Sequence, residues 1–153
     1  MTSVEQVADG LREANVAGYI EGREFVYGML PEFVHVYRTP SWNDDGPQAR
    51  EDWVGYGRTE IVAFRNAMPD FHQEDITTSV DGNRISLDRT ICGTLADGTE
   101  LRILISNVYT VEDDQITRID VDLDPASVAR IRAALQSGGV APEKVASFIT
   151  LSE

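Results

Sequence analysis

The chain has 153 residues, 42% of them hydrophobic, which is enough to bury a core in one domain spanning residues 1–153. Acids outnumber bases 26 to 13, and the net charge of −13 repels nucleic-acid phosphates and anionic membranes. The single cysteine, Cys92, excludes an internal disulfide and a cysteine metal cluster, and no apolar run approaches membrane length.

Met1-Thr2-Ser3 leads straight into an amphipathic pattern and not into a secretory leader, so the expected location is the cytoplasm. Thr2 and Ser3 stand before Glu5 and Gln6 as a capping box. Val4, Val7, Ala8, Leu11 and Ala14 then share a helical face, which Asn15 and Tyr19 continue. A stripe that turns polar at its end either reaches the surface or delivers hydrogen-bonding groups to a cavity. Gly22 marks a break, followed by a short apolar face of Phe25, Val26, Met29 and Leu30 that Pro31 ends. Phe33 to Thr39 reads as a strand, with Phe33, His35, Tyr37 and Thr39 on one side.

Residues 41–57 read as a polar loop with Trp42 and Trp53, of the kind that packs over a pocket mouth or a partner. Helical spacing returns from Thr59 to Met68. Strands follow over Phe71–Val80, Arg84–Leu95, Leu101–Val111 and Ile116–Asp124, separated by Gly- and Asp-rich turns. The last strand alternates, with Ile119, Val121 and Leu123 on one side and Asp120, Asp122 and Asp124 on the other. Asp124-Pro125 starts a helix that Gly138-Gly139 stops, and a final short helix is expected over residues 142–151.

Helices first and antiparallel strands later make the class α+β. The expected architecture is a curved antiparallel sheet packed on three N-terminal helices, forming a cone-shaped barrel with a conical cavity. The core spans about residues 4–124, and a helical extension covers 125–153.

Several residues carry chemistry in this pattern. Arg89 sits on the apolar side of its strand with Ile85, Leu87 and Ile91, where a guanidinium must be paired. Either a structural salt bridge or an anionic substrate oxygen would serve. His35 and Tyr37 share a strand face, and His35 could act as acid or base near neutral pH. Asp44, Asp45, Glu51 and Asp52 are loop carboxylates that could fold over a pocket. His72 is expected at the surface and Cys92 as a buried, inert thiol. With two histidines, no phosphate loop and no zinc spacing, neither metal nor cofactor is expected.

The order of elements and five strings resemble the nuclear transport factor 2-like superfamily, especially its SnoaL-like polyketide cyclase branch. The strings are Tyr56-Gly57-Arg58-Thr59-Glu60-Ile61, Met68-Pro69-Asp70-Phe71, Asp81-Gly82-Asn83-Arg84, Cys92-Gly93-Thr94 and Val111-Glu112-Asp113-Asp114-Gln115-Ile116. The resemblance implies a pocket on the concave face and, often, a homodimer through the outer sheet face, where Leu104 and Val108 are expected.

The ketosteroid isomerases of the superfamily imply an oxyanion donor at Tyr19 and a second donor at Asn107, while their base falls at Thr39, which cannot act as one. The epoxide hydrolases imply Arg89 flanked by acids, but these positions hold Ile91 and Val121. The SnoaL-like acid also falls on Val121. A one-residue slip would bring in Asp120 or Asp122 and bury all three strand carboxylates.

The expected catalytic set is therefore Tyr19, His35, Arg89 and Asn107, with His35 or a loop carboxylate as the base. The expected substrate contacts are Asn15, Tyr37, Trp42, Trp53, Phe64, Ile91, Tyr109, Ile119, Val121 and Leu123. The implied activity is cofactor-free cyclisation or isomerisation of a small apolar or polyketide-like substrate. A non-catalytic binding or assembly protein and an epoxide hydrolase with relocated acids are the alternatives.

Overall fold

The computed structural model describes residues 3–39 and 46–141. Helix α1 (Val4–Ala17) begins on the expected capping box, with Ser3 and Gln6 each bonding the other's backbone N–H. Helix α2 (Tyr19–Tyr27) follows after a single residue. The break therefore lies at Gly18 and not at Gly22. Gly22 stays helical and is small for a packing reason: a Cβ there would sit 2.3 Å from Asn15 Oδ1 on α1.

Strand β1 (Phe33–Thr39) comes next, then β2 (Gly46–Ala49) and helix α3 (Arg50–Ala67). The expected loop over 41–57 is thus corrected beyond residue 45. Gly55 and Gly57 read as loop residues but lie inside α3. A Cβ on Gly57 would fall 1.8 Å from the Tyr27 hydroxyl, so this glycine lets α2 pack against α3. Glu51 and Asp52 occupy the first turn of α3, where acids offset the helix dipole.

Strands β3 (His72–Asp81), β4 (Arg84–Thr94), β5 (Glu100–Glu112) and β6 (Gln115–Asp122) form the expected meander. The β5–β6 turn places both Asp113 and Asp114 at positive φ, the twist that suits a two-residue hairpin. Helix α4 (Pro125–Ser137) starts on the Asp124 cap. The expected helix over 142–151 lies outside the described residues.

The six strands run in the order β2-β1-β6-β5-β4-β3. The expected α+β class and curved sheet under the helices are present, and the sheet is open; it is mixed and not wholly antiparallel, because β1 pairs parallel with β6.

The helices cover one face of the sheet. Towards them point Ile85, Leu87 and Ile91 of β4, Ile103 and Tyr109 of β5, and Ile119 and Val121 of β6, all buried. The aspartates of β6 face out, as the alternation requires. That alternation is interrupted near the turn: Thr110 pairs with Arg118 and Val111 with Ile116, so a bulge at Thr117 lets both Ile116 and Ile119 reach the core. In β1 the expected inward side is reversed. Val34 and Val36 are buried while Phe33 and His35 are exposed.

Candidate functional site

The site lies where the α1–α2 junction meets the inner faces of β4 and β5. Arg89 is 2% exposed, and its guanidinium has no carboxylate partner among the described residues. Nη1 donates to Asn15 Oδ1 at 3.1 Å and Nη2 to Asn107 Oδ1 at 3.4 Å. Nε is buried with no partner. The cation also lies over the Tyr19 ring, 5.4 Å from its centroid. A buried charge this weakly compensated is costly. An anionic or strongly polarised oxygen brought to it would offset that cost.

Asn15 is itself fixed, its amide N–H donating to the Leu11 carbonyl at 2.8 Å. Its side-chain oxygen must then face the sheet, which presents it to Arg89. The glycine at position 22 is what permits this approach.

Tyr19 stands at the start of α2. Its hydroxyl donates to Glu60 Oε1 on α3 at 2.5 Å and accepts from Arg23 Nη2 at 2.9 Å. Arg23 also pairs directly with Glu60. Phe71 and Phe64 pack edge-on against the ring. Burial pushes the Tyr19 hydroxyl well above its ordinary pKa, and the Glu60 carboxylate adds to the shift, outweighing the Arg23 and Arg89 cations. The phenol is neutral at physiological pH and able to donate.

A cleft of about 600 Å³ opens beside this cluster, lined by Asn15, Tyr19, Arg65, Pro69, Phe71 and Gln73 among others. Four of the expected residues, Asn15, Tyr19, Arg89 and Asn107, are thus brought together. Trp53, Phe64, Ile91, Tyr109, Ile119, Val121 and Leu123 lie on the helix side of the sheet, but packed in the core. The expected cone is filled there, and open space lies at its α1–α2 end.

His35 and Tyr37 do not join the site. They stack on the outer face, with Arg118 4.0 Å over the Tyr37 ring, in a depression shared with Arg84 and Glu112. Trp42, Asp44 and Asp45 lie outside the described residues, and the Thr39 side chain is not described.

Glu60 and Arg23 were missed from sequence. Arg23 stands four residues after Tyr19, one helical turn along the same face, which is a usable signal. Glu60 carried none beyond its place in one matching string, since it reaches Tyr19 only through the packing of α2 on α3.

No family model matches the chain, and no curated protein does. Solved structures do. The chain is similar to PrhC from Penicillium brasilianum at 15% identity, with 95% of this chain and 98% of that one aligned and a TM-score of 0.65. An NTF2-like protein from Burkholderia pseudomallei aligns at 14% identity over 86% and 98%, TM-score 0.59. A candidate polyketide cyclase from Xanthomonas campestris aligns at 17% identity over 84% and 99%, TM-score 0.57. The chain has the nuclear transport factor 2-like fold, the fold of such candidate polyketide cyclases.

Proposed function

We propose that this protein is a SnoaL-like, cofactor-independent acid–base enzyme of small-molecule metabolism, a cyclase or isomerase acting on a small apolar or polyketide-like carbonyl compound. One observation carries the reading: Tyr19 lines an open cleft, its hydroxyl is bonded to the Glu60 carboxylate at 2.5 Å and to Arg23 at 2.9 Å, and the Arg89 guanidinium lies over its ring. Glu60 supplies the base that neither Thr39 nor Val121 can provide. It removes a proton from the carbon next to a substrate carbonyl, whose oxygen gains the charge. Tyr19 turns its hydrogen bond to that oxygen, and Arg23, Arg89 and Asn107 stabilise the enolate. Closure of a ring or return of the proton at a second carbon completes the reaction, with Glu60 as the acid.

The test is deuterium exchange at the acidic carbons of β-diketones and β-ketoesters in D2O, followed by NMR. The chain should accelerate exchange. Tyr19→Phe and Glu60→Gln should each slow it by about 100-fold, the usual scale for an oxyanion donor or a general base. Equal rates in the parent and both variants would overturn the site.

A second reading, small-molecule binding without catalysis, is favoured by a specific observation. Among the described residues, the fully buried polar or charged side chains outside the aromatics are Asn15, Arg89, Asn107 and Ser127, with no carboxylate. Saturable binding of the same compounds without exchange would establish it.

Two further expectations belong to the proposal. No described helix is long and apolar enough to cross a membrane, and the acidic composition suits work in the cytoplasm. A homodimer through the outer sheet face is supported by Phe33 and Leu104, which are 59% and 51% exposed there.

A further inference from the structure

The outer face of the sheet carries a second cluster of chemically active groups. The register sets His72 of β3, Cys92 of β4 and Arg102 of β5 in one row, each directly opposite the next. Glu74, two residues along β3, leans over the same row. The His72 imidazole, a Glu74 carboxylate oxygen and the Cys92 thiol lie within 4.8 Å of one another. They border a hollow of about 190 Å³.

We propose that His72 Nε2, Glu74 Oε1 and Cys92 Sγ form a binding site for a divalent metal ion of the zinc class. Three features support it beyond proximity. The donors are one nitrogen, one oxygen and one sulfur, a set that favours Zn²⁺ over Mg²⁺ or Ca²⁺. His72 Nδ1 lies 2.9 Å from the Asp70 carbonyl oxygen, which can only accept. Nδ1 is thereby the donor, and Nε2, 3.6 Å from Glu74 Oε1, is the nitrogen left to bind an ion. This is the outer support that metal-binding histidines characteristically have. Finally, Arg102 binds Glu74 Oε2 at 2.7 Å, which orients the carboxylate and turns Oε1 towards His72 Nε2.

Without metal the thiol donates to Glu74 Oε2 at 3.0 Å. Burial and that carboxylate push its pKa up to about 11. Binding converts the thiol and a divalent ion into a metal thiolate, and the proton passes to solvent. The two anionic ligands and the ion then sum to neutral. Asp70, Asp75, Glu100 and Arg102 are the other charged groups around the hollow. Asp70 is occupied by the Thr94 backbone N–H and hydroxyl, so the remaining coordination positions fall to water or an exchangeable ligand. The site lies on the opposite side of the sheet from Tyr19 and does not depend on the activity proposed above.

The experiment uses the full, tag-free chain, stripped with chelator and titrated with Zn²⁺ and separately with Co²⁺. The expected result is uptake of one ion per chain, with release of about one proton seen in the buffer dependence of the binding heat. The Co²⁺ form should show a thiolate charge-transfer band in the near ultraviolet. Cys92 is the sole cysteine, so the band has one possible source. Cys92→Ser should abolish the band, and His72→Gln should weaken Zn²⁺ binding at least about tenfold. Absence of stoichiometric uptake, or a Co²⁺ complex without the band, would overturn the site. Both are read on the parent chain, so the folding of a variant does not limit the test.

Discussion

Arg89 and Arg102 stand on adjacent strands of one sheet and occupy opposite electrostatic worlds. On the outer face Arg102 meets Glu74 at 2.7 Å and Asp75 at 3.6 Å, and Arg118 takes both oxygens of Asp120. On the inner face Arg89 has two amide oxygens and an aromatic ring. The chain has twice as many acids as bases, yet none of the described acids pairs with its deepest cation. Solvated charges find partners at little cost, whereas a charge left underpaired in the core must be offset by something else. In the function proposed above that something is a ligand oxygen, and the contrast separates a cation buried in the core from one solvated at the surface.

The largest test of this contrast between faces uses one residue type on both. Leu87→Ala on the inner side should cost about 3 kcal/mol in denaturant unfolding, because a fully buried side chain leaves a cavity. Leu104→Ala on the outer side should leave monomer stability within about 0.5 kcal/mol. If the homodimer forms through that face, the same change should weaken self-association in sedimentation velocity. A cost at Leu104 equal to that at Leu87 would mean the two faces had been assigned wrongly.

Next in size is Arg89→Ala. It removes a costly charge but orphans two buried amide oxygens, for a net loss of about 2 kcal/mol. It should also abolish binding of the carbonyl compounds. Arg102→Ala should leave that binding unchanged. If Arg89→Ala cost stability but left ligand affinity intact, the arginine would be structural only.

The smallest effect is a titration on the outer face. Hydrogen bonds from Cys92 and Arg102 hold the Glu74 carboxyl down at about pH 2. A depressed carboxylate contributes stability that is present above its ordinary range and lost as pH falls towards 2. Its side-chain carbon resonance should titrate there, and Arg102→Ala should move the midpoint up. An unmoved midpoint would remove Arg102 from the account of this cluster.

The degree to which these faces could be read in advance differs by element. In β4 and β6 one side is mainly apolar and the other polar, and in β5 the inner side is the more continuously apolar, so a period of two also tells which side is inward. Arg89 and Asn107 could be placed correctly for that reason. In β1 both sides carry bulky residues, Phe33 and Tyr37 against Val34 and Val36. Alternation there yields parity without direction, and His35 was expected on the wrong face. Helix α3 was cut short at Gly55 and Gly57 because a glycine looks the same in a loop and at a tight helix contact. Glu60 was hidden for a related reason: on its own helix it is an ordinary polar residue.

By itself, the sequence determined the periods, the caps on α1 and α4, the turns of the meander and the outward aspartates of β6. These depend on neighbours a few residues away, through backbone sterics and short-range hydrogen bonds. Only the tertiary structure decided the parallel β1–β6 pairing, the bond from Tyr19 to Glu60 across 41 residues, and the row of His72, Cys92 and Arg102. Those depend on how strands register and helices dock, and contacts between distant segments leave no periodic trace along the chain.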